Sequence, residues 1–409
     1  MIIRQQCLLS YDELMKLGPK SKLVMILDEI DVTPVADHMR KPKDSKGPKG
    51  YAPELFLYAL IAMQVEQIKT IAGLVKRLSA DFSFKYACGF GLVDSVPSES
   101  AFSRFLSKLS DESSLEELFH SLVLSAKKAG IIEGSIIAID STKLSAYEAS
   151  KPKKEIIDDG KHPNWGMKRD TNGNKIRWFG WKLHILCDSK SELPLDIKIT
   201  PANVHDGTVA ISLIEHFLAA YKETFKPSYY LMDSGYDYDY IYRDIINRFE
   251  AIPIIAYNPR GSKAPPVGLD EDLHPICSAG YKLVYWGKDN SYMKFRCPHV
   301  LGKVNCPFGS NWCSSSNYGY TLKINYKENP RQFGYPLRSS KTWKTLYNKR
   351  TSVERLNGRL KEHLNLNHFH SKGIKKAFTH SLLNSIAIIA GTIAVNKKHQ
   401  NKPVTTKAA

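Results

Sequence analysis

The chain has 409 residues, 43% of them hydrophobic and 24% charged, ordinary proportions for a globular protein with room for two or three domains. Its 58 Lys and Arg outweigh 41 Asp and Glu, and the resulting net charge of +17 favours a polyanionic partner, because phosphate contacts release condensed counterions. Seven cysteines, an odd count, argue against a disulfide scaffold, and no uninterrupted apolar stretch reaches the ~20 residues of a membrane span.

Residues 1–12 show no basic segment followed by an apolar run, so no signal peptide is expected and the chain should remain cytoplasmic. Residues 11–27 pattern as a short helix. Residues 37–50, rich in Lys, Pro and Gly, read as a solvated loop or linker. In residues 51–78, Leu55, Leu57, Leu60, Ile61, Ile68, Ile71 and Leu74 recur in a helical period that allows one or two helices. Pro97 and Ser98 ahead of Ala101, Phe102, Phe105, Leu106 and Leu109 mark another helix start, and 115–129 is again helical in period. Residues 1–130 therefore read as all-helical, serving either nucleic-acid recognition or packing alone.

The character changes at 135–140 (SIIAID), a β-rich run. Residues 179–187 (FGWKLHILC) and 194–200 (PLDIKIT) predict two more strands, and 206–221 a helix. A buried strand at 229–232 (YYLM), a helix at 238–249 and a strand at 251–256 (AIPIIA) follow. Strands first adjacent, then alternating with helices, predict a mixed α/β sheet. Residues 257–340 break this rhythm with many Gly, Pro, Asn and Ser and four of the seven cysteines, as an insertion of short strands and loops would. From 341 onward the chain is helical. The apolar stretch 382–395 is interrupted by Asn384, Ser385 and Thr392 and reads as a buried helix, and a polar tail follows Asn396.

Three acidic residues stand out. Asp140 ends the first strand ahead of Ser141 and Thr142, and Asp233 ends a later one ahead of Ser234, Gly235 and Tyr236. A carboxylate at the C-terminal end of a buried strand projects where a ligand can approach, although an Asp there can also simply open a turn. The third is Glu354. Tyr347, Arg350, Glu354 and Lys361 are spaced i, i+3, i+7 and i+14, which places them within an arc of roughly 60° on one helix face. Leu346, Val353, Leu356, Leu360 and Leu364 form an adjacent apolar stripe that can seat the helix. Read alone, Arg350 and Glu354 would be an ordinary surface pair four residues apart. A lone carboxylate in so basic a segment, together with the two aspartates, suits a metal ligand beside phosphate-binding groups better.

The pattern Tyr347-x2-Arg350-x3-Glu354-x6-Lys361 resembles the signature of a large group of bacterial insertion-sequence transposases with a DDE catalytic triad. Asp233-Ser234-Gly235-Tyr236 resembles that group's second motif, and Ile139-Asp140-Ser141-Thr142 its first. The resemblance spans about 135–390, interrupted by the insertion, and the N-terminal helices, especially 97–109, resemble the helical region such enzymes carry. It implies a ribonuclease-H-like core and phosphoryl transfer by two Mg²⁺ or Mn²⁺ ions. Asp140 would be shared between the ions, and Asp233 and Glu354 would each complete one. It further implies phosphate contacts from Tyr347, Arg350 and Lys361, double-stranded DNA at the element ends and at the target as partner, a homodimer in the DNA complex, and a cytoplasmic, nucleoid-associated protein. On this reading, 1–130 is a helical region, 131–256 the first part of the catalytic core and 257–340 the inserted subdomain. Residues 341–396 hold the catalytic helix and the C-terminal helices, and 397–409 the tail.

Other candidates are weaker. Lys182 and His184 share one face of a strand and are candidates to line a DNA channel. Asp206 is expected as a helix N-cap. Cys277, Cys297, Cys306 and Cys313 cluster with His274 and His299 without the tight pair of common zinc sites, leaving reduced structural cysteines or a structural zinc. Trp286 and Trp312 are expected to be buried, with base stacking as the other reading. A nuclease of the same fold and a non-enzymatic DNA-binding protein derived from a transposase are the rival functions. The intact triad weighs against the second.

Overall fold

The structure, a computed structural model, describes residues 18–40, 50–169, 173–262, 264–309 and 311–400, with Ser10 and Glu13. Of the helix expected at 11–27, residues 11, 12 and 14–17 lie outside the described residues and 18–21 are not helical; 41–49 of the loop expected at 37–50 and the tail beyond 400 also lie outside them.

Local signals place the N-terminal helices. Ser21 caps α1 (Lys22–Leu27), and Pro34 sits in the first turn of α2 (Thr33–Met39), so residues 37–39, expected in the loop, are helical. The expected helical stretch 51–78 divides into α3 (Pro53–Val65) and α4 (Ile71–Ala80), with Thr70 capping the second. A short α5 (Phe82–Ala87), unforeseen in the sequence, follows behind its cap Asp81. Ser98 accepts the Ala101 N–H and opens α6 (Glu99–Leu109), and α7 is Ser114–Lys128.

The sheet begins with β1 (Ile136–Ser145). After β2 (Asn164–Arg169), a strand with no clear periodic signal, the long β3 (Lys175–Asp188) runs antiparallel to β1. β2 pairs with the first half of β3, and β4 (Pro194–Pro201) pairs antiparallel with the second half. Helix α8 (Asp206–Tyr221) then crosses to β5 (Tyr229–Met232), parallel to β1, and α9 (Asp239–Asn247) leads to β6 (Ile252–Ile255), parallel to β5. The order β4-β3-β1-β5-β6, with β3 alone reversed, is the ribonuclease-H-like arrangement. Covered by helices, β5 and β6 are nearly all apolar, and Pro253 is tolerated because β6 is the edge strand. Gly180 is required in β3: a Cβ there would lie 2.3 Å from the Leu144 carbonyl oxygen of β1.

The segment expected to be an insertion forms a three-stranded antiparallel sheet of β7 (Val284–Asp289), β8 (Tyr292–Arg296) and β9 (Thr321–Asn325). Its own core is small, with Leu283, Met293, Phe295 and Leu337 buried together. Trp286 and Trp312, expected to be buried, are 49% and 54% exposed, because this core is too shallow to cover them.

Three helices complete the chain: α10 (Lys341–Asn348), α11 (Thr351–Glu362) and α12 (Ile374–Gln400). The expected continuous helix over 344–361 is interrupted at Lys349–Arg350, yet both residues keep right-handed helical dihedrals. α12 is long and apolar enough to cross a membrane, but here it packs against α3, α7 and β4 with most of its apolar stretch buried. Its polar interruptions are satisfied inside the protein: Asn384 donates to Gln64 at 3.2 Å and Ser385 to the Ser381 carbonyl at 2.9 Å. Ile386 of α12, Phe119 of α7 and Trp181 of β3 belong to one continuous core, so the N-terminal helices and the sheet are packed as a unit.

Candidate active site

The last matched pair between the parallel strands β1 and β5 is Ala138 with Leu231. Asp140 and Asp233 each lie two residues further on, so the pairing register sets them level just beyond the paired stretch. β5 ends there, but β1 continues to Ser145 along β3, so Asp140 lies within its strand rather than ending it as expected. The chain runs outward from β1 to β4 on one side and returns to β5 on the other. This is therefore the topological switch point, where open α/β sheets bind ligands. Asp233 also caps the 3-10 turn Ser234–Tyr236, its Oδ1 accepting the Gly235 N–H at 2.8 Å. A Cβ on Gly235 would stand 2.9 Å from that oxygen, which is why glycine follows.

Glu354 arrives on α11. Val353, Leu356 and Leu360 are fully buried and seat the helix on β1 and β3. Arg355 donates to Glu192 Oε1 at 2.5 Å, and Arg359 also bonds Glu192 at the β3–β4 turn, so the far side of the helix is clamped. Glu354 is half exposed and pairs with Arg350 at 2.9 Å. The Arg350 guanidinium lies 5.4 Å from the Tyr347 ring centre, Tyr347 stacks on Trp343 at 4.8 Å, and the buried Arg350 Nε has no partner. Lys361 donates to Thr142 Oγ1 on β1, two residues from Asp140.

The electrostatics mark a strained group of charges. Burial, and then the neighbouring Asp233, push the Asp140 carboxyl up to about 7, while the Ser141 N–H and Arg350 pull the other way. Burial also raises Asp233. Lys361 is lowered to about 8 by burial and by Lys168 and Lys143. Two carboxylates level on neighbouring strands, with one cation partly engaged elsewhere, leave negative charge that a divalent ion would neutralise. The donors are hard oxygens, suited to Mg²⁺ or Mn²⁺.

Two further acids were not singled out as part of this site. The cap of α8 is His205, which accepts the Gly207 N–H, so Asp206 is not the expected N-cap. Asp206 instead adds negative potential at Asp140 and Asp233 and pairs with Lys182 at 3.0 Å. Lys182 also donates to the Val204 carbonyl at 2.9 Å, and His184 is buried, bonding Thr200 Oγ1 at 2.8 Å. Neither side chain is free for a phosphate; both sit behind Asp206. The second acid, Asp237, is buried four residues past Asp233 and receives the Tyr242 hydroxyl at 2.8 Å and the Asn258 N–H at 2.9 Å. It lies in the same acidic, Gly-containing stretch as Asp233, the one sequence signal that could have drawn attention to it.

Among the described residues, one group of metal-binding side chains has all its ligand atoms within 4.8 Å of one another: Glu116, His120, Asp196 and His216. It is separate from Asp140, Asp233 and Glu354. His216 Nδ1 bonds Asp196 at 2.8 Å and Nε2 lies 3.7 Å from Glu116, so the charges offset one another where α7 docks on β4 and α8.

A family model described as a transposase DDE domain matches residues 132–390, from just before β1 into α12. The chain belongs to this family. A second model, described as a transposase domain (DUF772), matches residues 12–108. The protein is thus a transposase, an enzyme of DNA transposition and recombination, and its substrate is DNA. No curated protein matches the chain. Among solved structures, it is similar to the piggyBac transposase synaptic complex with hairpin DNA, determined by cryo-EM. The likeness is 12% identity with a TM-score of 0.42, covering 92% of this chain and 75% of that one.

Proposed function

We propose that this transposase cuts and joins double-stranded DNA at one site, with Asp140, Asp233 and Glu354 holding two divalent cations, Mg²⁺ or Mn²⁺. The observation that carries the reading is the level placement of Asp140 and Asp233 beyond the Ala138–Leu231 pair, with α11 seated alongside β1 to bring up Glu354. Asp140 would be shared, and Asp233 and Glu354 would each complete one cation. When bound, these cations would supply the Lewis acidity that activates the attacking water or DNA 3′-hydroxyl and stabilises the leaving oxygen.

The chain's own residues prepare that chemistry. Arg350 neutralises Glu354 now; a DNA phosphate would draw the guanidinium away, satisfy its unpartnered Nε and release Glu354 to act as a ligand. Lys361 and Tyr347, near the same helix face, would hold adjacent phosphates. Lys182 and His184 would keep Asp206 oriented behind the aspartate pair. The helical region preceding 131 would recognise element ends. Because two ends have to meet, the DNA-bound form would be a homodimer, working on the nucleoid in the cytoplasm.

The test is cleavage of labelled DNA carrying the element's own ends, with Mg²⁺ or Mn²⁺, comparing wild type and Glu354→Gln with binding measured in parallel. Metal-dependent nicking and joining by wild type, with a variant that binds but is inert, supports the triad. Equal activity in both removes Glu354 from it. Binding with no cleavage by either protein points to a DNA-binding role alone.

A further inference from the structure

The insertion needs something besides its hydrophobic core. Four buried residues close that core, too few to hold three strands and long loops in place, and small units of this kind are usually stapled by disulfides or a metal. The chain supplies four sulfurs for the purpose. Cys277, Cys297, Cys306 and Cys313 all line one small cavity of about 20 Å³, walled also by Tyr281, Pro298 and Trp312. Cys277, Cys297 and Cys306 carry free thiols.

The backbone around the sulfurs repeats a pattern. In Cys277-Ser278-Ala279-Gly280 the Gly280 N–H donates to the Cys277 carbonyl at 2.8 Å, with Gly280 at φ +79. In Cys306-Pro307-Phe308-Gly309 the Gly309 N–H donates to the Cys306 carbonyl at 3.1 Å, with Gly309 at φ +65. Both are tight turns closed by a left-handed glycine, so each cysteine is presented at the start of a knuckle. The Tyr281 hydroxyl ties the first turn to the second loop through the Asn305 carbonyl at 3.3 Å. Phe308 stacks on Trp312 at 4.7 Å, drawing Cys306 and Cys313 together. Cys297, at the end of β8, is fixed by its N–H to the Tyr320 carbonyl at 2.8 Å.

We propose that these four cysteines bind one structural Zn²⁺ as a tetrathiolate, clamping the two knuckles to the end of β8. The histidines are excluded as ligands or unneeded. Both ring nitrogens of His274 are engaged, with Ser339 Oγ at 2.9 Å and the Leu283 carbonyl at 2.5 Å, and His299 Nδ1 lies 3.2 Å from the Cys306 N–H. Four sulfurs and no oxygen ligand select zinc over Mg²⁺ or Mn²⁺. On binding, each thiol gives its proton to solvent as its sulfur–zinc bond forms. The sulfurs are wider apart than four ligands on one ion, since no cysteine belongs to the 4.8 Å group found among the described residues, so zinc would pull the knuckles inward. This site is independent of Asp140, Asp233 and Glu354.

The experiment uses the full chain. Metal analysis after purification with zinc in the medium should give one zinc per chain, released when a mercurial caps the thiolates. Stripped protein titrated with Co²⁺ should develop the visible bands of tetrahedral cobalt and sulfur-to-metal charge transfer, with Zn²⁺ displacing it one to one. Cys306→Ser and Cys313→Ser should lose the zinc, while Cys88→Ala and Glu354→Gln keep it. Should the serine variants not fold, the cobalt titration of stripped wild type still decides. Absence of bound zinc together with a cobalt spectrum lacking sulfur charge transfer, or thiols already oxidised to disulfides, would overturn the proposal.

Discussion

Arg331 forks onto Asp237: its Nη2 and Nε lie 2.8 and 3.0 Å from one carboxylate oxygen, although 94 residues separate them in the chain. Asp237 has no exposed side-chain surface and sits four residues beyond Asp233. The segment after β9 therefore braces the loop that carries one of the proposed ligands. Removing the guanidinium leaves a buried carboxylate with only the Tyr242 hydroxyl and the Asn258 amide. Arg331→Met should cost roughly 2–4 kcal/mol, and pairing it with Asp237→Asn should recover part of that loss. Thermal melts of the two single variants and the double variant measure the coupling; strictly additive losses would mean that the fork contributes nothing.

Asp140→Asn should stabilise the metal-free protein. Its carboxyl titrates near 7 when folded and near ~4 when unfolded. Between those values the unfolded chain gives up a proton that the folded chain retains, so metal-free stability falls as pH rises through this window and stays low above it. Asparagine avoids the loss. The variant should melt about 2–4 °C above wild type at pH 8 with chelator and show no advantage at pH 4. Mg²⁺ should then raise the melting temperature of wild type alone. A variant that melts lower at pH 8 would contradict this account.

Lys361 carries its charge only below about 8 in the DNA-free protein. Above that value, binding a phosphate has to take up a proton, so DNA affinity should fall by up to roughly tenfold per pH unit. Lys361→Arg, which stays charged, should show a shallower fall between pH 8 and 9.5 at fixed salt. Anisotropy titrations of both proteins provide the comparison, and parallel profiles would place Lys361 away from phosphate.

Leu356 is fully buried beneath α11. Truncation to alanine should cost roughly 2–5 kcal/mol and unseat the helix. Cleavage should drop further than DNA binding if, as proposed, several residues share the phosphate contacts while the position of Glu354 depends on this helix. If Leu356→Ala lowers the melting temperature but leaves cleavage intact, α11 does not position Glu354.

His216 is held above its usual range chiefly by its hydrogen bond to Asp196. The stabilisation from its charge is complete below the unfolded value of ~6.5 and is lost as pH rises through the higher folded value. His216→Gln should therefore lower the melting temperature more at pH 5.5 than at pH 8.5. An equal drop at both would show that the charge is not what matters.

Periodicity and end signals made much of the fold legible in advance. α8 and β5 fall on the residues expected, and the mixed α/β class follows from the strand pattern, because burial repeats at 2 or 3.6 residues are local properties. The motif resemblance pointed to the transposase family, to which the chain belongs. Tertiary structure decided what local pattern does not encode. β2 forms because β3 offers it an edge, and α11 starts afresh after a short break that no Gly or Pro announces. Lys182 and His184 alternate correctly on their strand, but Asp206, supplied by another element, and burial beneath it turned them inward. Trp286 and Trp312 are apolar enough to be buried, yet the insertion has no volume to hold them. The Asp237–Arg331 fork and the gathering of four cysteines around one cavity join residues far apart in the chain. Such pairings depend on which surfaces pack together, and that is settled only when the whole core closes.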